Sequence, residues 1–440
     1  MKVRCAAQDG PLFEPVGVVV SDLQPFEPIT LSLSFRDDGG VLWASRATFA
    51  ADHNGEVSTD THPAQSGTYS GVDPHGLFWS AYPTNHETLL QDVLNGAPGT
   101  LAPAIEPLAP YCWHLTITTS SGSTTPLTIA RRRKLTSTRE LRPPSPMQGL
   151  LFEPDVPNGA SVVVLGGSEG GVFPARAALL TASGFRTLAL AYFQHDGLPD
   201  IDRNLPLEYF HSALQWLKST STGRIGLIGV SRGSEAAQLT ALQWPELVDA
   251  LILWVPSHMV NCGLDLAGGS DFRTEHSAMW TLSETPIKGV NFLEEDLQNT
   301  EISDHDFRTL NGRRYADEFE RAWQAALDER RIPIENYKGP VLSIAGTEDA
   351  LWPSALGAEE ITSARTPQTG PRHLAIYDNA GHLIGTPNEP RPFPWLMHWH
   401  GGYMGIDNGF CAYGGTREGA ALAARQSWKK QTDFLRKYLT

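Results

Sequence analysis

Hydrophobic and polar positions follow a period of two in the first part of the chain. Apolar residues alternate with polar ones, or cluster as β-branched residues, in Ile29–Phe35 and Trp113–Thr118. The shorter runs Val16–Val20 and Val41–Ser45 fit the same pattern, which is typical of strands. Turn-forming clusters rich in glycine and aspartate separate these runs. The pattern therefore predicts a β-sandwich at the N-terminus.

From Gly149 onward, short apolar runs alternate with segments of helical periodicity. The predicted strands are Val162–Leu165, Thr187–Ala191, Arg224–Ile228, Ala250–Val255, Val341–Ala345 and Leu374–Tyr377. The predicted helices are Arg176–Ser183, Leu207–Lys218 and Ser234–Leu242, the last ending before Pro245. Such alternation predicts a mostly parallel sheet covered by helices on both faces, that is, an α/β fold.

A polar stretch from Leu135 to Pro146, ending in three prolines, is predicted to connect two domains. We place a β-sandwich domain at residues 1–140 and an α/β domain at residues 141–440. Residues 261–336 lack the clean alternation of their surroundings and contain a predicted charged helix, Tyr315–Arg331. This segment is expected to form a cap over the site.

Composition narrows the class of protein without naming an activity. The chain has 440 residues, 41% of them hydrophobic and 19% charged, as in globular proteins. A net charge of −15 argues against nucleic acid as the main partner. No stretch reaches the roughly 18 apolar residues of a membrane span, and no signal peptide is recognisable, so a cytoplasmic protein is expected. The sequence does not predict an oligomeric state.

Two further local features are a basic run and a set of separated cysteines. The basic run Arg131–Lys134 is either an anion-binding patch or a solvated strand end. The four cysteines lie far apart and form no C-x-x-C pair, which predicts isolated reduced thiols. These cysteines are Cys5, Cys112, Cys262 and Cys411.

The pattern G-x-S-x-G occurs at Gly229–Gly233, directly between a predicted strand and a predicted helix. That context is typical of a nucleophile elbow, in which a sharp turn presents the serine hydroxyl above the sheet. A second match, Gly166–Gly170, also follows a strand, but its helix is delayed until about Pro174. Since an elbow needs its helix to begin at the nucleophile, Ser231 is predicted to be the nucleophile rather than Ser168.

A serine hydroxyl needs a base to remove its proton and an acid to orient that base. Asp349 follows the strand Val341–Ala345, and His382 follows the strand Leu374–Tyr377. Ser231, Asp349 and His382 thus stand in the chain order nucleophile, acid, base of α/β-hydrolases. Asp349 could instead cap a helix. The competing acids are Glu348 and Asp378, and the competing bases are His373, His398 and His400.

The glycine-rich segment after the first core strand has a predicted role of its own. In this position a loop commonly donates a backbone N–H to an oxyanion, so the N–H groups of Gly167 or Ser168 and of Arg232 are predicted donors. No Walker lysine follows the glycines. His398-Trp399-His400 has no third ligand at a recognisable spacing, so neither a metal nor a cofactor is expected. Tyr192-Phe193 is interpreted either as core or as a lining of the acyl pocket.

These segments resemble a known family: the acyl-CoA thioesterases related to bile acid-CoA:amino acid N-acyltransferase, in a bacterial-type form. The matching segments are Ser66–Ser80, Leu165–Gly171, Ala189–Phe193, Leu207–Phe210, the elbow, Gly339–Val341, Gly381-His382 and Gly414–Thr416. The resemblance implies an immunoglobulin-like N-terminal domain, an α/β-hydrolase domain and a Ser231–His382–Asp349 triad. Three features depart from the family: Glu169 stands where relatives tend to have a small residue, and two segments match poorly, one between Pro256 and Ile332 and the other at residues 395–413.

The resemblance and the predicted site together imply an acyl thioester hydrolase whose substrate is carried by CoA or by a carrier protein. Members that act as N-acyltransferases use cysteine as the nucleophile, whereas this chain has Ser231. The alternatives are an acyltransferase with an amine or alcohol acceptor, a carboxylesterase or dienelactone-type hydrolase, and a binding protein without catalysis.

Overall fold

The N-terminal region is built from strands. The protein is represented by a computed structural model that describes residues 1–37, 40–85, 108–221, 223–263, 278–291, 293, 315–389, 397–398, 410–411 and 413–440. The strands of this region are β1 (Lys2–Cys5), β2 (Asp9–Pro11), β3 (Val18–Ser21), β4 (Pro28–Arg36), β5 (Leu42–Ala50), β6 (Val57–Ser58), β7 (Ser66–Gly67), β8 (Tyr82–Pro83), β9 (Tyr111–Thr119) and β10 (Thr124–Arg132). A short helix, α1 (Gly76–Trp79), lies between β7 and β8.

These strands form two sheets around one core. The larger sheet has the order β2-β10-β9-β4-β5-β7, with β8 paired to β5, and the smaller has the order β1-β3-β6. Alternate residues of β4 are buried, from Ile29 to Phe35. They belong to the same hydrophobic cluster as Val20 and Val57 of the smaller sheet. The period of two in the sequence is therefore explained by one buried face per strand.

The remaining strands build an eight-stranded sheet and small pairings around it. The strands are β11 (Arg139–Leu141), β12 (Gln148–Glu153), β13 (Ser161–Leu165), β14 (Arg186–Ala191), β15 (Leu205–Pro206), β16 (Ile225–Val230), β17 (Ala250–Trp254), β18 (Trp280–Leu282), β19 (Thr285–Pro286), β20 (Val341–Gly346), β21 (Arg372–Tyr377), β22 (Met397–His398) and β23 (Phe410–Cys411). The helices are α2 (Pro174–Leu180), α3 (Leu207–Thr220), α4 (Arg232–Gln243), α5 (Ala316–Ala325), α6 (Ser354–Ser363) and α7 (Arg417–Leu439). Single 3₁₀ turns occupy Thr181–Ser183, Asp328–Arg330 and Ile334–Asn336.

The sheet order is β11-β12-β14-β13-β16-β17-β20-β21. From β14 to β21 all neighbours are parallel, whereas β12 runs antiparallel to β14. Val162 and Val164 pack with α2 and α7, while Val163 and Leu165 pack with α3 and α4. Helices thus cover both faces, and the order and directions are those of an α/β-hydrolase sheet. The predicted α/β fold is confirmed.

The predicted connection Leu135–Pro146 is not a plain linker. It contains β11, which pairs antiparallel with β12 and forms the edge of the large sheet. Its polar sequence fits an edge strand, because such a strand has only one neighbour to satisfy and is half solvated. The predicted boundary at position 140 falls inside β11. The division into residues 1–140 and 141–440 stays a prediction.

The basic run Arg131–Lys134 is not an open anion patch, and only part of it is a solvated strand end. The Arg131 and Arg133 side chains are buried, and they donate to the backbone carbonyls of Ala7 and Ala109. Arg132 pairs with Asp9, and Lys134 pairs with Glu140. The anion-patch interpretation is therefore wrong, and a partly solvated strand end describes only Arg132 and Lys134. The guanidinium groups of Arg131 and Arg133 satisfy carbonyls at the ends of strands, and an exposed patch is not available.

The predicted helix Tyr315–Arg331 is shorter in the structure. Helix α5 ends at Ala325, because Ala326 adopts an extended conformation, with φ −71° and ψ 151°. A separate 3₁₀ turn follows at Asp328–Arg330. Much of the predicted cap, at 264–277 and 294–314, lies outside the described residues.

The β-rich region is bonded to the α/β region near its C-terminal helix. Arg417 at the start of α7 donates to the backbone carbonyls of Trp79, Ser80 and Ala81. His75 hydrogen-bonds Asn388 at 2.7 Å. Within the β-rich region, Phe78 of the same segment stacks on Trp113 at 4.2 Å. The junction combines these polar bonds with an aromatic contact, in which Phe13 of the β-rich region stacks on Trp428 of α7 at 5.5 Å.

Candidate active site

Ser231 occupies a strained turn between β16 and α4. Its backbone has φ 52° and ψ −120°, a conformation that residues with a side chain rarely adopt. The turn is possible because Gly229 and Gly233 have no Cβ. A Cβ at Gly229 would collide with the Gly233 carbonyl, and a Cβ at Gly233 would collide with the Gly166 carbonyl. Helix α4 begins at Arg232, directly after the serine. The local geometry is that of a nucleophile elbow.

Ser231, His382 and Asp349 form one hydrogen-bonded chain. Ser231 Oγ lies 3.0 Å from His382 Nε2, and His382 Nδ1 lies 2.8 Å from Asp349 Oδ2. All three residues are buried. These distances fit the tautomer in which Nδ1–H donates to the carboxylate and Nε2 accepts from the serine hydroxyl. The structure thus brings the three predicted residues together in the arrangement that base-assisted attack requires.

Asp349 also organises the loop in which it lies. Its Oδ1 accepts from the N–H groups of Leu351 and Trp352, at 3.0 and 3.3 Å. Its Oδ2 accepts from the Ser354 hydroxyl in addition to His382. These donors hold the carboxylate in one orientation. Asp349 does not cap the following helix, because α6 begins at Ser354 after Pro353 and has no side-chain cap hydrogen bond.

The competing residues lie elsewhere. Glu348 and Asp378 are exposed, and neither is described with a bond to His382. His373 bonds the Tyr438 hydroxyl at 2.8 Å, on the side of the sheet that carries α7. The His398 side chain and all of His400 lie outside the described residues.

The glycine-rich segment after β13 lies against the elbow. A Cβ on Gly167 would stand 3.2 Å from Ser231 Cβ, so the loop passes close to the serine side chain. Tyr192, at the end of β14, donates its hydroxyl to the carbonyls of Gly166 and Gly167, at 2.9 and 3.2 Å. Ser168 is buried, and its hydroxyl has no described bond to a histidine. Arg232 is the first residue of α4. The backbone N–H groups in the first turn of a helix have no acceptor within the helix.

A buried polar network lies beneath the elbow. Arg232 pairs with Glu235 at 3.2 Å, and both side chains are almost fully buried. Asn261 donates to Glu235 through its backbone and its side chain, and accepts from Trp323 of α5. Burial raises the pKa of Glu235, and the Arg232 charge opposes that rise. Trp352 contacts both His382 and the Arg232 guanidinium. This network holds α4, α5 and the histidine in fixed relation.

Sequence comparison places this site in a family. The family model described as "BAAT / Acyl-CoA thioester hydrolase C terminal" matches residues 205–440. The model described as "Acyl-CoA thioester hydrolase/BAAT N-terminal region" matches residues 13–136. The chain belongs to the acyl-CoA thioester hydrolase/BAAT family. The resemblance seen in the sequence is thereby confirmed.

Relatives in this family are similar along nearly the whole chain. Human acyl-coenzyme A thioesterase 2, mitochondrial, is 28% identical over 97% of this chain and 82% of its own. Mouse bile acid-CoA:amino acid N-acyltransferase is 28% identical over 97% of this chain and 95% of its own. Among solved structures, an acylaminoacyl peptidase from Pyrococcus horikoshii aligns with 74% of this chain and 48% of its own, at 13% identity and a TM-score of 0.38.

The described residues lack two further kinds of functional feature. They contain no group of three or more His, Cys, Asp or Glu side chains placed to hold a metal ion. Among the helices that the structure describes, none is both long enough and apolar enough to cross a membrane.

Several residues around the site were not predicted from the sequence. Ser354 and Trp352 follow Asp349 closely, and their bonds to it and to Val255 depend on how the loop folds. Tyr192 belongs to the buried core, as one of its two interpretations predicted, and the bond from its hydroxyl to the glycine-rich loop was not predicted. Glu235 was not singled out. A charged residue on the first turn of the elbow helix, three positions after Arg232, is the sequence signal that could have found it.

Proposed function

We propose that this protein hydrolyses acyl thioesters through an acyl-serine intermediate on Ser231. The observation that carries the proposal is the Ser231–His382–Asp349 chain, with distances of 3.0 and 2.8 Å, on an elbow whose serine has φ 52°. The family and the names of its relatives, acyl-coenzyme A thioesterases among them, favour an acyl-CoA substrate. A thioester on a carrier protein offers the same reacting group.

The proposed reaction has two halves. Ser231 Oγ attacks the thioester carbonyl while His382 Nε2 takes the hydroxyl proton, and Asp349 stabilises the imidazolium. Collapse of the tetrahedral intermediate breaks the C–S bond, and the departing sulfur takes the proton from His382. Water then attacks the acyl-serine ester with His382 as base. The products are a free thiol, a carboxylic acid and the regenerated serine.

Backbone N–H groups are proposed to hold the oxyanion. Arg232 N–H lies at the start of α4, and the N–H of Gly167 or Ser168 comes from the loop that touches Ser231. Donors fixed in this way stabilise charge that develops in the transition state, and each is typically worth about 10²–10³ in rate. The Tyr192 hydroxyl supports this role, because it fixes two carbonyls of the same loop.

We further propose that the two sheets of residues 1–140 form an immunoglobulin-like β-sandwich attached to an α/β-hydrolase domain at 141–440. Support comes from the shared core of Ile29, Val20 and Val57 and from the separate family match to residues 13–136. The substrate class also fits the cytoplasmic location predicted from the sequence, since CoA thioesters are made inside cells.

Acyl transfer to an amine is the competing outcome, because one relative is named as an amino acid N-acyltransferase. The nucleophile decides between the two outcomes. An oxygen ester on Ser231 reacts more slowly with amines than a thioester would, so water is the expected acceptor.

The test is a panel of acyl-CoA thioesters, with and without millimolar glycine or taurine, whose products are quantified by mass spectrometry. Wild type should yield free acid in both conditions. Ser231→Cys should hydrolyse more slowly and form a larger share of amide, and Ser231→Ala serves as the inactive control. Amide as the main wild-type product would contradict the hydrolase and favour the acyltransferase.

A further inference from the structure

A short segment ahead of α7, Tyr413–Thr416, connects the two loops that carry Asp349 and His382. The Tyr413 carbonyl accepts from the backbone N–H of His382 at 2.7 Å. The same carbonyl accepts from the backbone N–H of Ala350, the residue after Asp349, at 3.3 Å. One carbonyl thus joins both loops, so a shift of this segment would move the acid and the base of the triad.

The segment is packed too closely against the two loops to move without them. Gly414 has φ 73°, and a Cβ there would lie 1.8 Å from the Glu348 carbonyl oxygen. Gly415 has φ 76°, and a Cβ there would lie 2.3 Å from the Gly381 nitrogen. Both positions need glycine, because side chains disfavour this backbone conformation and the loops leave no space for one. Whatever holds the segment therefore holds both loops.

Arg417, the first residue of α7, attaches the segment to the β-rich region. Its buried guanidinium donates to three successive backbone carbonyls, at 2.7 Å to Trp79, at 3.4 Å to Ser80, and to Ala81. It also lies over the Tyr82 ring, 3.8 Å from the centroid. The carbonyls at the end of a helix lack donors within it, and α1 ends at Trp79. The planar fork of an arginine can satisfy several such acceptors at once.

We propose that Arg417 is a positioning residue through which the β-rich region fixes the placement of His382 relative to Asp349. It acts through the Tyr413 carbonyl rather than by contact with the reacting atoms. The proposal rests on the proposed triad and deepens it, because it gives the N-terminal region a part in the chemistry. Without the guanidinium, the segment loses its attachment to the β-rich region, and the hydrogen bonds of the triad lose their fixed geometry.

The test compares Arg417→Ala with Arg425→Ala. Arg425 lies on the same helix and pairs with Asp73 of the β-rich region at 3.3 Å, so its loss weakens the same junction away from the catalytic loops. Arg417→Ala should lower kcat and the rate of inactivation by a fluorophosphonate by about 10–100-fold, since a displacement of about 1 Å can have effects of that size. The downfield proton NMR signal of His382 Nδ1–H should shift or broaden. Arg425→Ala should lower Tm, yet keep the wild-type rates and the wild-type signal.

Two further measurements separate positioning from stability. Millimolar guanidinium should restore part of the inactivation rate of Arg417→Ala and leave that of Arg425→Ala unchanged. Should Arg417→Ala not fold, Arg417→Lys decides, because its ammonium lacks the planar fork and its inactivation rate should also fall.

A wild-type inactivation rate in folded Arg417→Ala, or in Arg417→Lys where the alanine variant does not fold, would overturn the proposal. Equal losses in Arg417→Ala and Arg425→Ala would overturn it as well. The fluorophosphonate reacts with the triad and requires no thioester. A wild type that reacts with it but hydrolyses no acyl-CoA would refute the proposed function alone.

Discussion

The two G-x-S-x-G segments share a pattern and differ in geometry. Gly166–Gly170 follows β13, and Gly229–Gly233 begins with the last two residues of β16, which is the neighbouring parallel strand. At Ser231 the backbone has φ 52° and α4 starts at the next residue, whereas after Ser168 the helix starts only at Pro174. The point at which the helix begins therefore decides which serine is presented to a base, and the five-residue pattern does not.

The two segments are also in contact, and their roles are complementary. Gly233 lies against the Gly166 carbonyl, and Gly167 lies against Ser231. In the proposed mechanism one segment supplies the nucleophile and the other supplies backbone donors. Changes in either segment therefore test whether this division of roles is right.

The largest effect is expected from removing the hydroxyl in one segment and not the other. Ser231→Ala should lower kcat by about 10⁴-fold or more with an unchanged Tm, since loss of a triad nucleophile has effects of that size. Ser168→Ala should stay within about 10-fold of wild type, because its hydroxyl has no described bond to a histidine. A reversed order of the two effects would mean that the elbow is misassigned.

The acid behind Ser231 should matter almost as much. Asp349→Asn keeps the shape of the side chain but favours the wrong tautomer of His382, so kcat should fall by about 10⁴-fold. Glu348→Gln is the matched control on an exposed neighbour and should have little effect. Adding Asp349→Asn to Ser231→Ala should lower activity little further, since the residues act as a unit. Additive losses would reject the shared role.

The contact between the segments can be broken with one methyl group. Gly233→Ala would collide with the Gly166 carbonyl and separate the elbow from the loop. Overpacking of this kind costs about 1–3 kcal/mol of stability, and a misplacement of about 1 Å can cost 10² in kcat. Ser234→Ala is the control, because its buried hydroxyl has no hydrogen-bond partner among the described residues. Wild-type kcat in Gly233→Ala would contradict the contact.

The smallest effect concerns the support of the loop. Tyr192→Phe removes bonds to two carbonyls of the glycine segment, and one such bond is worth about 1 kcal/mol. We expect kcat to fall by about 10-fold, with a small decrease in Tm. Tyr209→Phe is the control, since its hydroxyl bonds Gln148 and Ala191 away from the loop. A similar decrease in kcat for both variants would show that the effect is one of stability alone.

The sequence predicted the residues whose role follows from local order along the chain. Ser231, Asp349 and His382 each follow a strand of a parallel sheet, and the carboxyl ends of such strands meet at one edge. The strands β13, β16 and β20 were predicted to within a few residues for the same reason.

Features that depend on distant partners were not predicted. Arg131 and Arg133 look like part of a basic patch, and only the fold shows the carbonyls that bury them. Strand β11 is polar and short, so its pairing with β12 leaves no hydrophobic pattern. Glu169 was noticed as a departure from the family, but its position over Gly167 depends on the conformation of the loop.

The most direct test of the central claim is to locate the covalent intermediate. Wild type and Ser168→Ala should be treated with a fluorophosphonate and, in rapid-quench experiments, with an acyl-CoA, and the modified peptide should be identified by mass spectrometry. We predict a single adduct on Ser231 with both reagents, in both proteins. An adduct on Ser168, or a trapped acyl group on any residue other than Ser231, would contradict the proposed division of roles between the two segments.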